Sequence, residues 1–481
     1  MKKRLLATLL ALCLIVGLFP AMALAADETK YTFENNVVYK QIDDGEKIPL
    51  SADELATFSG VHLYGIAGFE TTIFPTMEDA YTAINAKLTE SGGMTWGSGP
   101  NNLGTDDAFN AVFIDRLPAG GEHEGVALTW TIFGTVDLGS ELSDYYLSGG
   151  RQDAYYGSDA RTIRAITVAG YGSNAQLNIS KNPIMPKQWW GETTDSFLNF
   201  SFENLTLVGS RIGVSSNYRT SFDVTFENCK IQGFLYHYFQ HEGNVIINNC
   251  VFDGTGTNQD YAFHVQGGSE KSLTIQFTNN TVSGYPRGIN IDQKLAVATI
   301  SGNTIEADHS TRGAVQLTAG SQITVTDNTI KNASGSAFWF YKGYNCPITT
   351  ITNNIIESPY LFQVGDADTP TLSDTAKSGI TFTGNDLSKV ADRLNSPVKD
   401  QPGKISGPHE ILSEDDTGNI IVSGVTLDMS SLTLYVGSTD TLTATVLPDN
   451  APDKTVTWSS SNNAVATVDE KGAVKAVGVG T

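Results

Sequence analysis

Aromatic and amide side chains recur at a nearly constant spacing through the middle of this chain. Where polar residues alternate with apolar ones along short strands, they form two outward rows. The first row contains Tyr238, His264, Asn290, Gln316, Trp339 and Gln363, and the second contains Gln240, Gln266, Asp292, Thr318 and Tyr341. Aromatic rings can stack on sugar rings and amides can bond hydroxyl groups, so these rows could line a glycan-binding groove. They could equally form a solvated sheet surface whose stacked residues stabilise the ladder.

Trp339 favours the binding interpretation, because an outward-facing indole is costly without a partner. Ionisable side chains near the rows are the candidates for catalysis, namely Asp260, Arg287, Asp292 and Asp308. Asp292 with Asp308 or Asp260 could form an acid pair, and Arg287 could position a substrate or accept a proton. Because Asp292 is the only carboxylate in either row, the pattern favours a surface that binds over one that cleaves. No cluster indicates a metal site.

An eight-fold internal repeat must position these residues. Aligned on an asparagine turn, it reads FENLTLVG from Phe202, FENCKIQG from Phe226, INNCVFDG from Ile247, FTNNTVSG from Phe277, ISGNTIEA from Ile300, VTDNTIKN from Val325, ITNNIIES from Ile351 and FTGNDLSK from Phe382. The spacings are 24, 21, 30, 23, 25, 26 and 31 residues, which predicts a solenoid. SLTIQFTN, TVSG and GINIDQ are typical of three strands, so one coil has three strands in about 25 residues. The asparagine amide can bond the same amide above and below, while its backbone tolerates the turn.

The repeats FENCKIQG, FTNNTVSG, ISGNTIEA and VTDNTIKN resemble the right-handed parallel β-helix of the pectate-lyase-like superfamily, over about residues 125–395. This resemblance implies an all-β fold with a right-handed parallel β-helix at residues 126–395. It also implies that a substrate would lie along the strand after the variable loop. A lyase of this fold would need a Ca²⁺ cluster of several carboxylates, and a hydrolase would need carboxylates on adjacent rungs. We therefore expect no cofactor, except Ca²⁺ if the protein is a lyase.

The N-terminal part has two recognisable segments. Residues 1–25 are typical of a secretory signal peptide, with an apolar stretch between basic residues and the small-residue site Ala23-Leu24-Ala25. Within the following segment, residues 26–125, the sequence predicts a helix near residues 76–90 with Thr76 as its N-cap. Met77, Ala80, Ile84 and Leu88 line its apolar face. We expect this helix to cap the first coil of the solenoid.

A change of composition marks the C-terminal boundary. Residues 396–421 are rich in Pro, Gly, Lys and Asp, which is typical of a linker. From residue 422, LYVG, VLPDNA, VTWSSSNNAVATVD and GAVKAVGVGT resemble a bacterial Ig-like domain of group 2. Such domains normally continue with a closing strand after the GVGT turn. We therefore expect residues 422–481 to be an incomplete Ig-like β-sandwich, with further domains or a cell-wall anchor missing from this chain.

Charge and cysteine content limit the possible partners. Without the signal peptide the chain has 27 basic and 52 acidic residues, a net charge of −25. This charge argues against nucleic acid and anionic lipid, and it repels a polyanionic glycan unless it is offset locally. Cys229, Cys250 and Cys346 are too few for a disulfide framework. Cys229 and Cys250 share one repeat position, where we expect small buried residues, although the two could pair.

Together these features predict a secreted or cell-surface bacterial protein that binds a polysaccharide or a host or cell-surface glycan, as an adhesin does. We expect neither nucleic-acid binding nor membrane insertion. The first alternative is a polysaccharide lyase or glycoside hydrolase, and the second is a structural surface stalk.

Overall fold

The computed structural model of this protein describes residues 29–92, 106–117, 125–138, 163–179, 196–213, 220–238, 242–267, 272–341, 344–365, 378–393, 424–447 and 455–481. The predicted signal peptide (residues 1–25) and linker (residues 396–421) lie outside these ranges, as does Gln240. The chain divides into two compact units, residues 1–232 and residues 233–481.

The first unit begins with a small antiparallel sheet that the sequence pattern did not predict. Its strands are β1 (Thr29–Glu34), β2 (Val37–Ile42) and β3 (Ile48–Pro49). Asn35 and Asn36, both at positive φ, form the turn between β1 and β2. Helix α1 (Ala52–Thr57) follows, and Ser51 and Glu54 close its N-terminus as a capping box. These elements are too short to show a hydrophobic period in the sequence.

The helix predicted near residues 76–90 is present as α2 (Met77–Glu90), so that prediction is confirmed. The Thr76 hydroxyl accepts a hydrogen bond from the Asp79 amide at 3.1 Å. Its four predicted apolar residues are buried. α2 packs against strands β4 (Gly60–Tyr64) and β5 (Ile73–Phe74). A further helix, α3 (Asp106–Val112), was not predicted.

Parallel ladders then begin in the first unit. The strands are β6 (Val126–Asp137), β7 (Ile163–Ile179), β8 (Ser196–Glu203), β9 (Thr206–Ile212) and β10 (Thr220–Glu227). β6 pairs with β7, β7 with β8 and β9, and β8 with β10, all in parallel. Phe202 and Phe226 stack with ring centroids 4.9 Å apart in the interior. Cys229 is buried nearby, and its thiol donates to the Phe202 carbonyl at 3.3 Å.

The second unit contains the regular coils, preceded by β11 (Lys230–Tyr238), which crosses the division of the chain. The strands are β12 (Gly243–Asn248), β13 (Val251–Asp253), β14 (Tyr261–Gly267), β15 (Leu273–Thr278), β16 (Thr281–Tyr285), β17 (Arg287–Gln293), β18 (Ala296–Ser301), β19 (Thr304–Ala307), β20 (Gly313–Ala319), β21 (Gln322–Thr326), β22 (Thr329–Asn332), β23 (Ser336–Phe340), β24 (Ile348–Thr352), β25 (Ile355–Val364), β26 (Ile380–Thr383) and β27 (Asp386–Asp392). Each strand pairs in parallel with its counterpart one coil later. This confirms the predicted parallel β-helix with three strands per coil.

In the asparagine turn, two neighbouring residues have the two roles that we predicted for a single asparagine, namely the turn conformation of the backbone and the ladder of amide hydrogen bonds. The first residue of the turn adopts positive φ, as in Asn279, Asp327 and Asn353. The second is a buried asparagine of a continuous ladder. Asn303 accepts from the Asn280 amide at 2.7 Å and donates to the Phe277 carbonyl at 2.8 Å. The five coils from Asn280 to Asn385 therefore depend on a backbone turn and a separate ladder amide, whereas the three preceding coils have the buried Leu205, Cys229 and Cys250 at the ladder position.

Residues 424–481 contain two small antiparallel sheets. Their strands are β28 (Gly424–Leu427), β29 (Thr439–Thr441), β30 (Ala444–Leu447), β31 (Ala466–Val468) and β32 (Ala473–Ala476). β28 pairs with β30, and β32 pairs with both β29 and β31. In the described ranges, no helix has both the length and the apolar character needed to span a bilayer.

Candidate functional site

The first predicted row lies on one parallel ladder, formed by β14, β17, β20, β23 and the second half of β25, which we call the site ladder. Along it His264 is opposite Asn290, Asn290 opposite Gln316, Gln316 opposite Trp339, and Trp339 opposite Gln363. The register predicted from the repeat is therefore confirmed between His264 and Gln363. The inward neighbours are fully buried, which fixes the direction of each strand's faces.

Two positions of the predicted rows are out of register. Tyr236, not Tyr238, is opposite His264, and Tyr238 is opposite Gln266, so Tyr238 belongs to the second row. The run of aromatic residues before this strand hides the period that would have set its register. In the second row, Asp292 is opposite Ala319 instead of Thr318, because the β17–β20 pairing shifts after Ile291.

The main correction concerns exposure, because most of the first row is buried. Asn290, Trp339 and Gln363 are 3%, 2% and 1% exposed, so the expectation of an exposed indole at Trp339 was wrong. The indole Nε1 donates to the Gly365 carbonyl at 2.9 Å. The Arg312 guanidinium covers the ring at 4.2 Å from its centroid, and Tyr341 packs edge-on against it at 4.8 Å. The first row is thus covered by a second layer of side chains.

A chain of hydrogen bonds links this second layer to the buried first row across several coils. Arg287 Nη1 donates to the Tyr261 hydroxyl at 2.7 Å, and that hydroxyl donates to Gln316 Oε1 at 2.6 Å. Gln316 Nε2 donates to the Thr318 hydroxyl at 3.0 Å, which donates to Asn290 Oδ1 at 2.9 Å. Because each amide in this chain already has a partner, its rotamer is fixed before any ligand arrives.

Aromatic rings surround His264 at the start of the site ladder. Tyr236 and Tyr261 have ring centroids 5.4 and 5.5 Å from the imidazole, and Phe234 lies at 6.2 Å. Burial raises the pKa of the Tyr261 hydroxyl, and the adjacent Arg287 cation partly opposes that rise. Tyr261 therefore remains a neutral hydroxyl and hydrogen-bond donor at physiological pH. These rings give the site an apolar wall of the kind that contacts a sugar face.

The candidate carboxylates have separate partners. Asp260 Oδ2 lies 3.6 Å from Arg287 Nη2, and Asp292 Oδ2 lies 3.8 Å from His264 Nε2. Asp308 accepts a short hydrogen bond from the Ser334 hydroxyl. The acid pair that the sequence suggested remains a prediction. In the described part of the chain, no group of three or more His, Cys, Asp or Glu residues could hold a metal ion.

Asn332 is a buried organising residue that sequence reasoning missed. Its Oδ1 accepts from the backbone amides of His309 and Gly335 at 3.2 and 3.1 Å, and its Nδ2 donates to the Arg312 carbonyl at 2.9 Å. It therefore holds the turn of residues 308–312 against the turn of residues 333–335. Sequence could have indicated this residue only through its place two positions after Ile330, where a strand ends.

Two arginines give this part of an acidic protein a local positive charge. Among the described residues, the buried Nε of Arg287 and that of Arg312 have no hydrogen-bond partner. Burial lowers the pKa of His309, and repulsion from both arginines lowers it further, so the imidazole is neutral at pH 7. The nearest carboxylates only partly offset the two cations, since Asp260 is largely exposed and Asp308 is engaged by Ser334. The arrangement can accept an anion beside aromatic rings.

Two family descriptions match the chain. Residues 202–390 match the right handed beta helix region, and residues 421–481 match the bacterial Ig-like domain (group 2). The chain therefore carries a right-handed β-helix region followed by a bacterial Ig-like domain of group 2. No solved structure matches this chain.

Similar proteins include adhesins and carbohydrate-active enzymes. A serine-rich adhesin for platelets from Staphylococcus aureus is 26% identical over 389 residues, which are 76% of this chain and 16% of that protein. A 3-O-alpha-D-galactosyl-alpha-L-arabinofuranosidase from Bifidobacterium longum is 50% identical over 72 residues, 13% of this chain and 6% of that protein. A kappa-carrageenase from Pseudoalteromonas carrageenovora is 47% identical over 62 residues, 13% of this chain and 16% of that protein. The chain thus spans at most 16% of these proteins.

Proposed function

We propose that this protein is a bacterial surface protein that binds an acidic glycan at the site ladder, as an adhesin does. The main support for the proposal is the environment of the Arg312 guanidinium. The Arg312 guanidinium stacks on Trp339 at 4.2 Å and leaves a buried Nε–H without a partner. Among the ion pairs of the described residues, none involves Arg312. A partly desolvated cation without an anion is costly, and a ligand carboxylate or sulfate would remove that cost.

The geometry of Arg312 suits a planar or tetrahedral oxyanion. A guanidinium offers parallel N–H groups, and stacking on an indole holds its plane in one orientation. Arg287 is already shared between Asp260 and Tyr261, so it serves as a second and weaker contact. The Arg312 cation would also offset locally the repulsion that a chain of net charge −22 exerts on acidic polymers.

The predicted glycan contacts take different roles in this proposal. Tyr238 and Tyr341 are only partly buried and, together with Tyr261, offer ring surface to a sugar. Asn290, Gln316 and Gln363 lie beneath and support the upper layer. His264 completes the aromatic wall beside Tyr261.

Location at the cell surface has three sources of support. The N-terminal 25 residues have the pattern of a secretory signal. Residues 421–481 match a bacterial Ig-like domain, which we propose acts as a spacer. One similar protein is an adhesin. A purely structural stalk would not need an unpartnered, partly buried arginine beside an aromatic wall.

The test is a glycan array, followed by titration calorimetry with the full-length secreted protein. We expect uronate, sialate or sulfated glycans to be retained and their neutral analogues to be lost. Arg312→Gln should weaken binding about 10- to 100-fold, the effect of losing charge-assisted hydrogen bonds. Lys331→Gln, which removes one positive charge from a different strand face, should leave the affinity unchanged. Equal effects of both variants, or no retained glycan, would refute the proposal.

A polysaccharide lyase or glycoside hydrolase is the second candidate, and the contact between His264 and Asp292 favours it. The Asp292 carboxylate, 3.8 Å from His264 Nε2, is beyond hydrogen-bonding distance, and a movement of about 1 Å on substrate binding would let it orient the imidazole as a general base. Reducing-end and unsaturated-product assays on the retained glycans should then show turnover, and Asp292→Asn should abolish it. Binding without turnover leaves the adhesin as the better description.

A further inference from the structure

A second surface of the coils has no role in the proposed site. β12, β15, β18, β21, β24 and β26 form a parallel ladder whose alternate residues point outward, and we call these outward positions the neutral face. Four of its strands repeat one motif, in which two outward residues with hydroxyl groups flank one inward apolar residue. The four copies are residues 299–301, 324–326, 350–352 and 381–383.

The neutral face contains no Asp, Glu, Lys, Arg or His at any outward position of its six strands, which are all within the described ranges. Besides Thr and Ser, it carries only Asn, Gln, Ile and Val. Charged residues make up 17% of the chain, and protein surfaces are usually richer in charge than the whole. A surface of this size without a single charge is therefore unusual.

A preference of threonine for strands does not explain this lack of charge. The adjacent ladder of β19, β22, β25 and β27 belongs to the same coils and is also solvent-facing. It carries alternating charges, with Lys331 Nζ 2.8 Å from Glu306 Oε1 and Lys389 Nζ 3.3 Å from Glu357 Oε2. Strand propensity acts alike on both ladders, so it predicts hydroxyls but not the exclusion of charge.

The hydroxyls of the neutral face form a regular lattice. Neighbouring rows repeat about every 4.8 Å along the coils, and the two hydroxyls of one motif lie roughly 7 Å apart across the strand. Thr352 donates to the Thr326 hydroxyl at 3.2 Å, and Thr278 to Asn248 Oδ1 at 2.8 Å. The inward residues between them, such as Val325 and Ile351, are fully buried and hold each strand in place. Six strands extend the lattice over roughly 24 Å.

We infer that the neutral face docks on an uncharged polysaccharide presented as an ordered solid. Such a partner offers hydroxyl groups that exchange hydrogen bonds with the threonine rows, and no charged side chain on the six strands loses its hydration on contact. The exposed Asp327 carboxylate, which accepts from the Thr326 hydroxyl at 3.1 Å, lies in the turn after β21 and not on a strand of the face. Hydroxyls repeated in register on successive strands suit an extended, ordered surface better than a single soluble sugar. The inference does not depend on the acidic-glycan site, which lies on other strands of the same coils.

The experiment is a depletion assay of the full chain on microcrystalline cellulose, chitin, insoluble β-1,3-glucan and granular starch. We expect retention on at least one solid. Thr299→Lys with Thr324→Lys should reduce that retention at least tenfold, because two cations would have to be desolvated at the contact. The matched control is Thr304→Lys with Thr329→Lys, which adds the same charge five residues further along the same two coils and should bind like the wild type.

Thermal melting of both double variants shows whether each is folded. Arg312→Gln should also be retained like the wild type, which separates this face from the proposed anion site. Retention on none of the four solids would overturn the inference, as would equal losses for the two double variants or release by Arg312→Gln alone.

Discussion

The site ladder and the neutral face lie on the same coils, yet one is covered by a second layer of side chains and the other is open. Gln316 on β20 is 5% exposed, whereas Thr324 on the next strand is partly exposed. The turns leading into the two ladders also differ. Each turn leading from the neutral face to the next ladder has two residues, as between β18 and β19. The turns leading into the site ladder vary from one residue before β17 to seven before β14.

Alternation along a strand therefore predicts the direction of a side chain but not its exposure. The turn before β20 brings the Arg312 guanidinium over the Trp339 ring and covers it. Chemistry is thus concentrated where the repeat is least regular.

The largest effect is expected on stability, from removal of a ladder asparagine in the regular coils. Asn303→Ala should lower the free energy of unfolding by about 3 kcal/mol or more, because the Asn280 amide, the Phe277 carbonyl and the Asn328 amide oxygen all lose a buried partner. Urea denaturation followed by circular dichroism would measure the loss.

The control for this prediction is the preceding residue of another turn. Asn279→Gly should change stability by less than about 1 kcal/mol, since glycine tolerates positive φ. Gly302 and Gly384 already occupy the equivalent position in other coils. If both variants lost the same stability, the division of the turn into a backbone residue and a ladder residue would be wrong.

The same contrast decides how much of the molecule could be predicted from sequence. The two-residue turns give a constant pattern, so the coils, the strands and the register from His264 to Gln363 followed from the repeat. Tyr238 was misplaced because aromatic residues on both faces of β11 carry no period. The burial of Trp339 could not be predicted, since it depends on where the turn containing Arg312 folds, and turn residues lack a repeating pattern.

The next largest effect is expected at the site ladder alone, where the turns are irregular. Asn332→Ala should weaken acidic-glycan binding about tenfold and lower the free energy of unfolding by about 2 kcal/mol, because it frees the turn that carries Arg312. Asn332→Asp keeps the acceptor oxygen but not the donor, and should fall between this variant and the wild type.

Two measurements make this prediction specific to the site. Calorimetry reports the affinity for the glycan, and near-ultraviolet circular dichroism reports the loss of the Arg312 stack on Trp339. Retention on a neutral polysaccharide solid should be unchanged, because the neutral face lies on other strands. A parallel loss of both binding activities would mean that Asn332 supports the coils as a whole and not the site.

The smallest effect is a pH dependence that comes from the same turn. The pKa of His309 is lowered by burial first and then by Arg287 and Arg312, while Asp260 and Asp308 oppose the shift. The unfolded chain therefore binds a proton more readily than the folded one. This contribution to stability is complete above the ordinary histidine pKa of about 6.5 and is lost as the pH falls towards the lower folded value.

His309→Gln should flatten that part of the curve when urea denaturation is compared between pH 7 and pH 5. His62, whose pKa burial also lowers, contributes with the same sign, so the comparison must be between the variant and the wild type and not between two pH values alone. A bound anion beside Arg312 would reduce the repulsion on His309 but not the effect of burial, so saturating acidic glycan should flatten the wild-type curve in part, and less than the substitution does. If the glycan left the curve of stability against pH unchanged, the anion would not lie beside Arg312. The proposal that the site ladder binds an acidic glycan there would then be wrong.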